Sequence, residues 1–171
     1  KKVAIVYYDR EASRSSLMRG SPTGMMLNAP PSLLAVLRTL RERGYRVDVP
    51  ADEDSLIAMA ERSGRVVGVS GPGEAEALAD SGLVPLVPQA DYERWLEARV
   101  PAPARADLER HWGPAPGRIC VVERSGAKFV VVPMLRLGNV VLMPQPLRGE
   151  AYDPSQTHDK AIPPPHSYLA A

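Results

Sequence analysis

The chain has 171 residues, 44% of them hydrophobic, and a formal net charge of +1. That is enough chain to bury a sizeable core, and the balanced charge, with no aromatic-interleaved basic patch, speaks against nucleic acid as a partner. A lone cysteine, Cys120, excludes an internal disulfide framework and fits a cytoplasmic chain, and no apolar run reaches the roughly 18 residues of a membrane span.

Residues 3–8, VAIVYY, are apolar and rich in β-branched and aromatic types, which predicts a buried strand with Tyr7 and Tyr8 in the core. Residues 9–28 carry Ser, Gly and Pro without periodicity and read as a loop. Asp9, Arg10 and Glu11 read as a solvated strand end, placed where an α/β sheet commonly opens into a ligand crevice. Pro30-Pro31-Ser32 opens a helix whose apolar face is Leu33, Leu34, Val36, Leu37 and Leu40, and Gly44 ends it. Residues 46–49, RVDV, read as a second strand, giving a β-α-β crossover and a parallel pair. Residues 52–63 predict a helix with Asp52 as N-cap and Leu56, Ile57, Met59 and Ala60 on its apolar side.

Gly71-Pro72-Gly73-Glu74 reads as a turn and helix start. A phosphate loop needs G-x-x-x-x-G-K-[ST], which is nowhere in the chain, so no nucleotide-binding residues are assigned and ATP hydrolysis by that route is excluded. Residues 74–81 predict a short helix closed by Gly82, and 83–87 a third strand that Pro85 confines to an edge. Two further helices follow: 91–99 with Tyr92, Trp95 and Leu96 on one face, and 105–112 with Leu108 and Trp112 four apart. His111 has only Glu109 near it at ligand spacing and reads as structural.

After Pro114 the pattern changes. Residues 118–123 and 128–133 predict a β-hairpin about Ser125-Gly126, with Cys120 as a small buried hydrophobe, and 138–143 one more strand. The expected fold is a three-layer α/β sandwich with a mixed sheet, parallel β-α-β units first and an antiparallel β-hairpin region last. It divides into an α/β portion, 1–117, and a β-hairpin and C-terminal motif region, 118–171, packed as one domain. The expected core draws on 3–8, 33–40, 84–87, 119–122, 129–132 and 140–143. Both ends are abrupt, which suggests a piece of a larger subunit.

The run from 136 to 169 concentrates the chemistry. Asn139, Gln145, Arg148 and Asp153 surround an apolar strand, and Pro163-Pro164-Pro165 directly precede His166. Three prolines favour a stiff extended segment, which suits a ligand or general base at His166; a proline-rich tail closing a domain accounts for the same residues. His158 and His166 are not at zinc-knuckle spacing. They could present imidazoles to a metal held by other segments, with Asp159 orienting one of them. Arg136 and Arg148 flank the strand, either as carboxylate-binding groups or as surface arginines.

GNVVLMPQPLRG, then Asp153-Pro154, His158-Asp159 and PPPHSYLA, resembles the large subunit of ATP-dependent cobaltochelatase, the CobN-like family that includes the H subunit of magnesium chelatase. The matching positions are Gly138, Asn139, Val140, Gln145, Pro146, Arg148, Gly149, Asp153, Pro154, His158, Asp159, Pro163 to His166, Tyr168, Leu169 and Ala170. Upstream, residues 28–34 and 44–47, then Pro72 to Glu74, Ser81-Gly82 with Val84, Tyr92 with Trp95, and His111 to Pro114 also fit. Asn28 stands where the family commonly has an acid, Pro31 replaces a small residue, and the loop 10–24 lacks the family's N-x-P and I-G-N pieces.

The resemblance implies a tetrapyrrole-binding subunit that inserts cobalt into hydrogenobyrinic acid a,c-diamide, with magnesium insertion into protoporphyrin IX as the alternative. ATP would be hydrolysed by AAA+ partner subunits, alongside an adaptor chelatase subunit. It further implies His158 and His166 as catalytic or metal-contacting residues, and Arg136, Asn139, Gln145 and Arg148 as substrate contacts. A piece lacking the rest of the subunit would be inactive alone and would leave His166 partly exposed. A non-catalytic α/β scaffold or docking domain is the reading from another class.

Overall fold

The computed structural model describes residues 1–7, 29–67, 73–149, 156 and 159–171. Expectations for Tyr8, Asp9, Asn28, the loop 10–24, Gly71, Pro72, Asp153, Pro154 and His158 lie outside these residues. The chain forms two compact units: Lys1–Val66 with Pro133–Gln145, and Val67–Val132 with Pro146–Ala171. This division differs from a boundary at residue 117, because the strands after Pro133 return to the first unit.

In the first unit, α1 (Ala29–Glu42) begins with two prolines, whose missing N–H groups cost nothing in a first turn. It buries Pro30, Leu33, Leu34 and Leu37, one stripe at helical spacing. Gly44, at φ 84°, ends it in a Schellman motif: Tyr45 N–H donates to Leu40 O and Gly44 N–H to Arg41 O. In α2 (Glu53–Ser63) the Asp52 carboxylate accepts from Ser55 N–H at 2.8 Å. The helix buries Leu56 and Ala60.

Three strands complete this unit: β1 (Val3–Tyr7), β5 (Leu135–Leu137) and β6 (Val140–Pro144), in the order β1-β6-β5. Strand β6 runs parallel to β1, with Val3 opposite Val140, and antiparallel to β5 across the two-residue turn Gly138-Asn139. Val3, Ile5 and Tyr7 face the core with Leu37, Leu56, Leu137, Val140 and Leu142.

Two expectations are corrected here. Strand β1 is not buried on both faces: Val3, Ile5 and Tyr7 face the core, while Ala4 and Val6 are exposed, Val6 by 60%. Residues 46–49 form no strand, so the parallel partner of β1 is β6. The segment gives a single backbone bond to the hairpin turn, Asn139 N–H to Arg46 O, too little for a ladder.

The second unit contains α3 (Glu74–Asp80), β2 (Leu86–Pro88), α4 (Gln89–Arg99), α5 (Ala102–Trp112), β3 (Val121–Arg124), β4 (Ala127–Val131) and α6 (His166–Ala170). Its sheet, β2-β4-β3, is antiparallel. Ser125 and Gly126, both at positive φ, make the tight turn of the β3–β4 hairpin. Pro85 precedes edge strand β2 and offers only its carbonyl, to Val132 N–H. Tyr92, Leu96, Leu108 and Trp112 form one core with Ile162 and Leu169 packed on it; Val84, Val122 and Val131 form a second.

The class is therefore α/β, as expected, with its strands in two small sheets, one mixed and one antiparallel, in place of a single mixed sheet. Cys120 is not in a strand. It sits in the turn before β3 at φ 56°, half-buried, its thiol 3.8 Å from Val67 O. Burial, with Glu74 nearby, pushes that thiol up to about 12, so it is inert as a nucleophile.

Candidate functional site

The triple proline leads into α6, and His166, its first residue, is 3% exposed rather than half-open to solvent. Its ring packs edge-on against Tyr92 of α4, with centroids 5.6 Å apart. Nε2 lies 2.9 Å from Gly113 O, which can only accept, so Nε2 carries the proton. In the neutral ring Nδ1 is then the acceptor, and Tyr92 O–H donates to it at 2.9 Å. Burial raises the Tyr92 phenol above its ordinary range, so it stays a donor. Trp112 Nε1–H donates to Pro163 O at 2.7 Å, tying the other end of the proline run. The fit is close: a Cβ on Gly117 would lie 2.8 Å from His166 Cδ2.

Asp159, expected to orient an imidazole, accepts instead from Ala161 N–H at 2.8 Å and shapes a local turn. His111 behaves as a structural residue, its Nδ1–H donating to Asp107 O one helical turn back. Among the described residues no three His, Cys, Asp or Glu side chains come together as a metal-binding group.

The substrate-contact candidates separate. Arg136 and Asn139 share one open groove of about 420 Å³ in the first unit, at the N-terminal ends of β1 and β6. Gln145 follows the other end of β6, where its backbone N–H donates to Tyr7 O. It marks the carboxyl edge of the parallel pair, the customary side for a ligand crevice. There the Tyr7 hydroxyl donates to Gly64 O, and a Cβ on Gly64 would lie 2.7 Å from that hydroxyl oxygen. Arg148 belongs to the second unit and is exposed.

Sequence reading missed Lys2, Tyr92 and Trp112 as partners in these sites. Strand alternation puts Lys2 on the same face as Ala4, which was legible. The hydroxyl and indole partners, 74 and 51 residues away in the chain, were not.

A family model described as CobN/Magnesium Chelatase matches residues 1–171. The aerobic cobaltochelatase CobN subunit of Pseudomonas aeruginosa is 32% identical over 151 residues, 86% of this chain and 11% of that protein. The magnesium-chelatase H subunit of Chlorobaculum parvum is 28% identical over 172 residues, 99% of this chain and 12% of that protein. The catalytic subunit of cobaltochelatase from Mycobacterium tuberculosis superimposes with a TM-score of 0.73 at 32% identity, over 100% of this chain and 13% of that one. The chain thus spans only a small part of the proteins it matches.

Proposed function

Since the chain belongs to the CobN/magnesium chelatase family, we propose that it is a domain of the large, tetrapyrrole-binding subunit of a chelatase that inserts cobalt into a corrinoid precursor. The observation that carries this reading is the whole-chain similarity to a cobaltochelatase catalytic subunit, in fold and at 32% identity. Cobaltochelatase CobN subunits are 29% and 32% identical and magnesium-chelatase H subunits 28% and 29%, so cobalt rests on the solved structure that matches over the whole chain, a cobaltochelatase subunit. ATP hydrolysis falls to AAA+ partner subunits with an adaptor subunit, and the subunit works in the cytoplasm.

Metal insertion requires a base for the pyrrole N–H groups and ligands that replace metal-bound water. His158 and His166 are the proposed imidazoles, and Gln145 and Arg148 the proposed contacts to the ring and its carboxylates, with Arg136 and Asn139. For His166 the role has a condition. Nδ1 holds the free lone pair of the ring and accepts from Tyr92, so it takes a proton or a metal only after Tyr92 turns its O–H away. That engagement also favours a second reading, a scaffold domain in which the histidine is purely structural.

Turnover of the full-length subunit with its ATPase partners tests the proposal. Cobalt should enter hydrogenobyrinic acid a,c-diamide, while the 171-residue chain alone should insert no metal and hydrolyse no ATP. Insertion of magnesium into protoporphyrin IX, without cobalt insertion, would transfer the chain to the magnesium branch.

A further inference from the structure

The groove holding Arg136 and Asn139 has a composition of its own. Register sets Ala4, Val141 and Arg136 side by side across β1, β6 and β5, and alternation along β1 adds Lys2 to the same face. Met134 and Val141, both half-buried, line it together with Ala4. Neither Arg136 nor Lys2 has an ion-pair partner among the described residues. Asp48 approaches the turn at Gly138, where its Oδ2 would lie 3.4 Å from an added Cβ. Arg136 and Lys2 make the groove cationic, which suits an anion. The guanidinium favours a planar carboxylate, and the floor favours an apolar body attached to it.

We propose that this groove binds an apolar molecule through a single carboxylate, held by Arg136 and Lys2 with its hydrocarbon over Ala4, Val141 and Met134. Resting on the chelatase reading, the natural occupant is one carboxylate-bearing edge of the tetrapyrrole.

The test is titration of the 171-residue chain with octanoate and, separately, with octan-1-ol, followed by methyl NMR signals of Ala4, Val141 and Met134. Octanoate should move these signals saturably and bind at least tenfold more tightly than the alcohol. Arg136→Ala should weaken it at least tenfold, with partial recovery in Arg136→Lys. Equal binding of acid and alcohol, unmoved signals, or full affinity in Arg136→Ala each overturns the carboxylate site. A free-acid porphyrin should then displace octanoate while its methyl ester does not. A porphyrin that binds without displacing octanoate overturns the tetrapyrrole as occupant, yet leaves the chelatase reading standing. Absence of porphyrin binding beside normal octanoate binding counts against both tetrapyrrole assignments and not against the groove.

Discussion

At the scale of residues, the contacts of His166 decide what its substitution does. Replacing it by alanine strands the Tyr92 hydroxyl and the Gly113 carbonyl in a buried site, and leaves a cavity beside Gly117. The expected loss is about 2–4 kcal/mol, measured by urea unfolding. Tyr92→Phe removes one donor at nearly constant volume and should cost about 1–2 kcal/mol. An unchanged unfolding midpoint in His166→Ala would show that these bonds contribute nothing net. The PPPH sequence by itself announced a stiff approach to a histidine. It could not announce burial, because the groups that bury the ring arrive from α4 and from the α5 terminus, far away in the chain.

At the scale of elements, whatever was coded locally was legible. Helix α1 showed its stripe, its proline start and its glycine stop within 16 residues, Ala29 to Gly44, and it forms where those signals put it. The Ser125-Gly126 turn was equally local. Residues 46–49 show the limit: alternation in RVDV looks like a strand, but a strand also needs a partner, and the β1 ladder went to β6. Strand β5, only three residues long, left too short a pattern to detect. The cap of α2 gives a test at this scale. Hydrogen bonds from Ser55 hold the Asp52 carboxyl below its ordinary value. A lowered folded-state value adds stability that is present above the unfolded-state value, about 3.9, and lost as pH falls through the folded-state value. Asp52→Ala should therefore lower the melting temperature at pH 7, and the gap from wild type should close below about pH 4. A gap that persists at pH 2 would assign the effect to helix propensity instead of the charged cap.

At the scale of the whole molecule, the two units carry separate cores. Leu37 is 0% exposed in the first and Leu108 2% in the second. Truncating either to alanine should cost about 2–5 kcal/mol in its own unit. Hydrogen exchange reads this directly: Leu37→Ala should accelerate exchange in α1, α2 and β6, and Leu108→Ala in α4 and α5. Fast exchange appearing only in the unit that was not mutated would break this assignment. Sequence placed most of these core residues on periodic faces, but Leu135 and Leu137 of β5 lay outside every predicted element. It could not divide them between units, because each unit is assembled from two stretches that alternate along the chain.

The pairing of Val3 with Val140 also sets a timetable for synthesis. Strand β1 leaves the ribosome well before β6, its only ladder partner among the described residues, which comes after the strands and helices of the intervening stretch. At about 5–20 residues per second, β1 and the apolar stripe of α1 wait roughly 5–30 seconds for β6. During that interval Leu33, Leu34 and Leu37 have no sheet to cover them, and the nascent chain offers chaperones an early target. Ribosome-bound chains of increasing length should be cut by trypsin at Arg38 and Arg41 until Pro144 has cleared the exit tunnel, and resist cleavage afterwards. Protection gained before β6 emerges would mean that α1 and α2 hold each other without the sheet.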